Sequence, residues 1–238
     1  IDDDGNALWP TDYPIERLQQ IKGVLPSRDW NSLYQQDPIP DEGEYFKTEW
    51  FLEYDTLPDD LEFYGASDYA VTDGDGDYTE HGIFGIDRVG NLYLADWWFG
   101  KSTSDVWIDA KCDLIIKHKP DCWFGESGVI RRSIEPFLAR RMNERNAICR
   151  IEWLASVAGK ESRARGFQGM ASMGKIFIPK NAIWKDHVMS QLIRFPAGKH
   201  DDAVDVCSLI GRGLEHINAK RAKYVAPKKA YVQHGWMG

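Results

Sequence analysis

The chain has 238 residues, 43% of them hydrophobic and ten of them Trp, enough to bury a sizeable core in one large domain or one domain with an appendage. It contains no run of about 18 apolar residues, so no membrane-spanning helix is read, and Cys112, Cys122, Cys149 and Cys207 lack CxxC or zinc-ligand spacing and read as free thiols. A net charge of −8 argues at first against nucleic acid, but residues 1–80 hold 21 acids and 4 bases, whereas residues 81–238 hold 16 acids and 25 bases. The later part, net +9, therefore suits a phosphate backbone.

No leader is visible and the first residue is Ile, so the sequence reads as a piece of a longer protein. In chain order, Ile15, Leu18 and Ile21 predict a helix over 14–25, with Pro14 near its first turn. Ser27 is a candidate cap for a second helix through Trp30, Leu33 and Tyr34, followed by a connection at Asp37–Gly43. Residues 45–60 mix aromatics and acids and read as connection. From Glu62 the pattern changes. Glu62–Asp68 reads as a strand ending on Asp68. Asp73–Asp77 is an acidic loop that fails the calcium-loop template, because Tyr78 stands where glycine is needed and Phe84 where the last Glu belongs. Gly82–Asp87 and Asn91–Trp98 flank a hairpin turn at Arg88-Val89-Gly90. Thr103 or Ser104 opens a helix to Lys117, Asp121–Gly125 is a strand leading to Glu126, and Ile130–Arg145 is a helix interrupted at Pro136. A strand at Cys149–Val157, a helix at Glu161–Met173, an extended piece at Ile176–Ile178 and helices at Ala182–Ile193 and Asp202–Ile217 complete the order. Such a series predicts an α/β fold, a mixed five-stranded sheet covered by helices.

Chemistry concentrates at Lys199-His200-Asp201-Asp202-Ala203-Val204-Asp205. Three carboxylates at the start of an apolar helix exceed what capping needs, since each favours a helix N-terminus by only about 0.3–1 kcal/mol. Ligands gather at the carboxyl ends of neighbouring parallel strands, where Asp68 and Glu126 stand. Three segments then bring carboxylates together, the arrangement that holds two Mg²⁺ or Mn²⁺ ions for phosphodiester hydrolysis. Asp68 could equally be an ordinary turn acid and the helix acids solvated caps. Asp201 and Asp202 both stay candidates as catalytic metal ligands. Asp205 is a possible support. Lys160, Arg163, Arg165, Lys199 and His200 are candidate DNA contacts.

Taken together, Asp68, Glu126 and the Lys199–Asp205 motif resemble the nuclease domain of the large terminase subunit of tailed bacteriophages. Upstream, Leu8-Trp9-Pro10 and Trp30–Pro38, with Gly43 and Phe46, are similar to the segment joining that subunit's packaging ATPase to its nuclease. The resemblance implies a ribonuclease H-like domain at 61–218, a linker and the end of the ATPase domain at 1–60, and a basic tail at 219–238. It further implies a metal-dependent endonuclease that cuts concatemeric double-stranded viral DNA, with Asp68, Glu126 and Asp201/Asp202 as metal ligands. Glu126 stands where many relatives have Asp. The implied partners are viral DNA, the ATPase domain of the same polypeptide, the portal and the small subunit, in the cytoplasm of the infected bacterial host. No GxxxxGK[ST] occurs, so nucleotide binding is not expected. Another ribonuclease H-like enzyme (a junction resolvase or transposase core) and a non-catalytic docking module of the packaging motor are the alternatives.

Overall fold

A computed structural model of the chain describes residues 6–7, 9–24, 34, 45–70, 78–157 and 159–223. The chain divides into two units, Ile1–Glu44 and Tyr45–Gly238. In the first, the apolar spacing read above forms helix α1, Ile15–Val24. The second helix expected through Tyr34, apart from Tyr34 itself, the connection at Asp37–Gly43, the acidic loop at Asp73–Asp77 and the tail beyond residue 223 lie outside the described residues.

In the second unit, seven strands form one mixed sheet: β1 Phe51–Tyr54, β2 Glu62–Asp68, β3 Thr79–Ile86, β4 Leu92–Gly100, β5 Cys122–Ser127, β6 Arg150–Ala155 and β7 Ile176–Pro179. Their order is β1-β7-β4-β3-β2-β5-β6. Only β3 opposes the rest: it pairs antiparallel with β2 and β4, and the other pairs are parallel. The sheet thus has seven strands, not the five expected. The two additions are four-residue strands that pair in parallel, Phe51 opposite Ile176 through Tyr54 opposite Pro179. Each is too short to show a period on its own; β7 is held between β1 and β4, and β1 is held at the edge by β7. Residues 51–54, read as connection, are therefore part of the sheet.

Among the described residues, five α-helices cover its faces: α2 Ser104–His118, α3 Val129–Glu144, α4 Lys160–Ser172, α5 Lys185–Arg194 and α6 Asp202–Lys223. Thr103 occupies the N-cap position of α2 without a side-chain capping bond. Helix α3 runs through Pro136 instead of breaking there, because Leu138 and Met142 beyond it are buried and dock its second half. In the hairpin, Gly90 takes φ +83°, and the Asp87 carboxylate accepts from the Val89 and Asn91 amides at 3.0 and 2.8 Å.

Side chains alternate along each strand, so the sheet has two cores. Tyr64, Ala66 and Phe124 face one core, with Phe167, Val204 and Leu209 from α4 and α6. Trp123 faces the other, with Trp107, Ile115 and Leu138 from α2 and α3. Helix α6 buries Val204, Val206, Leu209 and Ile210, at about 1.5–3 kcal/mol for each large side chain. Its approach to α4 depends on Gly211, where an added Cβ would stand 2.9 Å from the Phe167 backbone nitrogen.

Candidate active site

Asp68 is the last residue of β2, and Glu126 stands near the end of β5. These strands are parallel neighbours, with Ser67 opposite Gly125. Strand alternation turns Asp68 to the face of Ala66, and Glu126 to the face of Phe124, which is the face covered by α4 and α6. Between them lies a cavity of about 10 Å³, lined by Asp68, Glu126, Arg163, Asp205, Ser208, Leu209 and Arg212. That volume admits roughly one water-sized particle. Asp205 follows Asp202 by three residues and Arg212 follows Asp205 by seven, so α6 presents them from one side.

The electrostatics are those of crowded acids. Burial pushes the Asp68 carboxyl well above the usual carboxylate range, and the charges of Asp205, Asp202, Glu80 and Glu126 push the same way. Burial also raises Asp205, against the pull of Arg163. Arg163 Nη2 donates to Asp205 Oδ1 at 2.8 Å, and Arg163 Nη1 lies 3.7 Å from Glu126 Oε1. That Glu126 oxygen is buried and makes no hydrogen bond. Asp201 stands outside the cavity lining, with both oxygens at 2.7 and 2.6 Å from Lys160 Nζ. Asp202 is buried, with Oδ2 3.9 Å from His200 Nδ1.

An oxygen-only donor set with an orphaned, buried carboxylate oxygen fits a hard divalent cation. Among the described residues, no three acidic, His or Cys groups stand close enough to coordinate an ion as they are; Lys160 and Arg163 engage the acids instead. The candidates from sequence are thus brought to one edge, but unequally. Asp68, Glu126 and Asp205 line the cavity, and Asp201 and Asp202 flank it. Of the candidate DNA contacts, Lys160 and Arg163 are bound to these acids. Arg165 and Lys199 are exposed, and the His200 ring centroid is 5.6 Å from that of Tyr78. A groove of about 520 Å³ also meets Arg163 and Arg212 and runs past Ser162 and Arg165. Another cleft, about 830 Å³, is lined by residues at the other end of β2 and on α6, including Asp60, Glu62, Arg88 and Glu215, and holds none of these ligand candidates.

Sequence reasoning missed two buried arrangements. Glu80 faces Asp68 across the β2–β3 pair and is fully buried. On the opposite face of β2, the neighbours of Asp68 are tied into a polar chain. Lys111 Nζ donates to Tyr69 Oη at 2.7 Å, and Trp123 Nε1 donates to Ser67 Oγ at 2.7 Å. His81 Nδ1 lies 2.8 Å from Ser67 Oγ and Nε2 lies 2.8 Å from the Trp107 carbonyl. A carbonyl only accepts, so Nε2 carries the proton and Nδ1 accepts from the Ser67 hydroxyl. Burial, then the Lys111 charge, takes the His81 pKa down to about 3 and keeps the ring neutral.

No family model matches the sequence, and no curated protein sequence does. Solved structures do match. A human cytomegalovirus terminase nuclease domain superposes with a TM-score of 0.53 at 14% identity, over 74% of this chain and 98% of that one. The large terminase nuclease from thermophilic phage G20c, with bound cobalt, gives 0.51 at 13%, over 73% and 98%. The fold is that of the large-terminase nuclease domain. It is ribonuclease H-like, a mixed sheet flanked by helices. A large terminase from a thermophilic bacteriophage, in complex with ADP, matches with a TM-score of 0.52 at 13% identity, over 84% of this chain and 52% of that one. At these identities the likeness is one of fold.

Proposed function

We propose that this chain carries the metal-dependent endonuclease of a viral DNA-packaging terminase, hydrolysing phosphodiester bonds of concatemeric double-stranded DNA. The observation that carries the reading is the convergence of Asp68, Glu126 and Asp205 on one cavity at two neighbouring strand ends. Asp68, Glu126 and Asp205 would hold the cations, with Asp201 and Asp202 beside them. Two divalent ions, Mg²⁺ or Mn²⁺, would supply an activated water and Lewis acidity at the leaving oxygen.

The chain's own residues have separate tasks. Crowding keeps the acids avid for positive charge, because each raises the others' cost of ionisation. Arg163, held by two of the acids, would exchange one of them for a DNA phosphate. Arg212 and Arg165, along the adjoining groove, would bind flanking phosphates without reading bases. The partners in this reading are viral DNA, an ATPase domain of the same polypeptide, the portal and the small subunit, in the host cytoplasm.

Incubation with supercoiled plasmid and Mn²⁺ tests the reading. The wild type should nick and linearise the plasmid, and Asp68→Ala should not. Millimolar Mn²⁺ should raise the melting temperature of the wild type by mass action and leave that of Asp68→Ala unmoved. A wild type that neither cuts nor gains stability overturns the proposal.

A further inference from the structure

The first turn of α6 is ordered by a residue of another helix. The Ala203 amide donates to Gln191 Oε1 of α5 at 2.9 Å. At its other end, Gln191 Nε2 donates to Glu80 Oε1 at 2.8 Å. Glu80 also accepts from Trp97 Nε1 at 2.7 Å, and its Oε1 lies 2.8 Å from His187 Nε2. His187 is fixed in turn by stacking on Phe99, with ring centroids 3.7 Å apart and planes 6° from parallel. One buried carboxylate on β3 thus ties β4 and α5 together, and through Gln191 reaches the backbone of α6.

This arrangement is unusual for a helix start. The first amides of a helix lack intrahelical partners, and the side chain just before the helix commonly accepts from one of them. Asp201 stands at that place in α6 and is of a favoured capping type. Both of its oxygens instead meet Lys160 Nζ, at 2.7 and 2.6 Å. Glu80 has no exposed surface. A carboxylate so placed is costly unless its oxygens are satisfied, and two of its partners, His187 and Gln191, come from α5, the helix that reaches Ala203.

We infer that Gln191, anchored by Glu80, is a surrogate N-cap for α6 that relieves Asp201 of the capping role and holds the first turn, with Asp202 and Asp205, in place at the cation site. Both are positioning residues. The inference rests on the metal-dependent nuclease reading, and it assigns a task to a buried acid that never touches DNA. Without Gln191, the Ala203 amide loses its acceptor, and Asp201 is the nearest side chain suited to replace it. Drawing Asp201 from Lys160 onto that amide shifts the turn that carries Asp202 and Asp205 beside the site. Loss of groups that orient metal ligands typically weakens metal binding by about 10–100-fold.

The test uses the full chain and three measurements: melting temperature without metal, hydrogen exchange at the Ala203 amide, and Mn²⁺ affinity from the free-ion electron paramagnetic resonance signal. Gln191→Leu keeps the bulk and removes the hydrogen bonds to Ala203 and Glu80, together with the 2.9 Å contact to His187 Nε2. It should melt cooperatively, exchange Ala203 faster, and bind Mn²⁺ about tenfold more weakly or worse. Glu80→Gln keeps one acceptor oxygen for Gln191 while its NH₂ faces Trp97 Nε1, which can only donate, so it should lose less of the affinity than Gln191→Leu. If Gln191→Leu does not fold, Gln191→Asn, one methylene shorter, takes its place with the same expectation. A folded Gln191 variant with wild-type Mn²⁺ affinity overturns the inference, as does an Ala203 amide in that variant as protected as in the wild type. A wild type that binds no Mn²⁺ overturns the nuclease reading instead, and the exchange measurement still judges the cap.

Discussion

Replacing Lys111 with Met tests whether the core behind Asp68 holds a neutral amine. Lys111 is fully buried, and its Nζ lies 4.7 Å from the Trp123 ring centroid and 5.5 Å from that of Tyr69. Burial lowers its pKa from 10.5 to about 7, against the opposing influence of the Cys149, Cys112 and Cys122 thiols. The unfolded chain keeps the proton to near 10.5 while the folded chain releases it near 7, so the unfolded state binds more protons in between. Stability therefore rises with pH over that window. At about 1.4 kcal/mol per unit for a full proton, and half that at the midpoint, the rise between pH 7 and pH 9 integrates to about 2 kcal/mol. Above pH 9 the sign reverses for Cys149, whose thiol is pushed by burial up to about 12 and stays protonated in the folded state. The assay is urea unfolding of wild type and Lys111→Met at intervals from pH 6 to pH 9, because the difference between the two cancels Asp68 and every other shared group. Met fills the same unbranched volume, and Tyr69 still reaches Ser67. The stability of Lys111→Met relative to wild type should fall by about 2 kcal/mol from pH 7 to pH 9. A difference that does not change with pH refutes the buried neutral amine.

Two further outcomes follow from the geometry. Asp205→Asn should lower Mn²⁺-dependent cleavage by more than about 100-fold and Asp201→Asn by less, since only Asp205 lines the cavity; single-turnover cleavage decides, and an equal or larger loss at Asp201 counts against the assignment. Gly65→Ala would place a Cβ 2.3 Å from the Trp123 ring and should cost about 1–3 kcal/mol through overpacking, read as a lower urea midpoint; an unchanged midpoint contradicts it.

Asp68 and Glu126 are legible from sequence because each follows a short apolar run, and a period of two puts them on one face. The first turn of α6 is legible as a cluster, but its division of labour is not. Asp205 reaches the cavity wall through an ion pair with Arg163, 42 residues away, set by how α4 packs on α6. Glu80 carries no local signal. Its place beside Asp68 is a matter of strand register, and a slip of one residue would turn it to the other core. Strand β1 escapes notice for a related reason, since its four residues are held in the sheet by β7, which reads from sequence only as a short extended piece. Pro136 shows the reverse: a strong local signal that packing overrides.

The position of β1 also has a mechanical side. Phe46 is fully buried, Gln168 Nε2 donates to the Tyr45 carbonyl at 2.8 Å, and Tyr54 Oη donates to the Leu94 carbonyl at 2.8 Å. A pull arriving along the chain at Tyr45 is therefore taken first by a buried ring and a short parallel ladder loaded in shear. From β1 to β2 the order counts four strand spacings, about 19 Å at roughly 4.8 Å each. The chain thus enters the sheet at an edge strand whose anchorage is separate from the β2–β5 pair that carries the carboxylates.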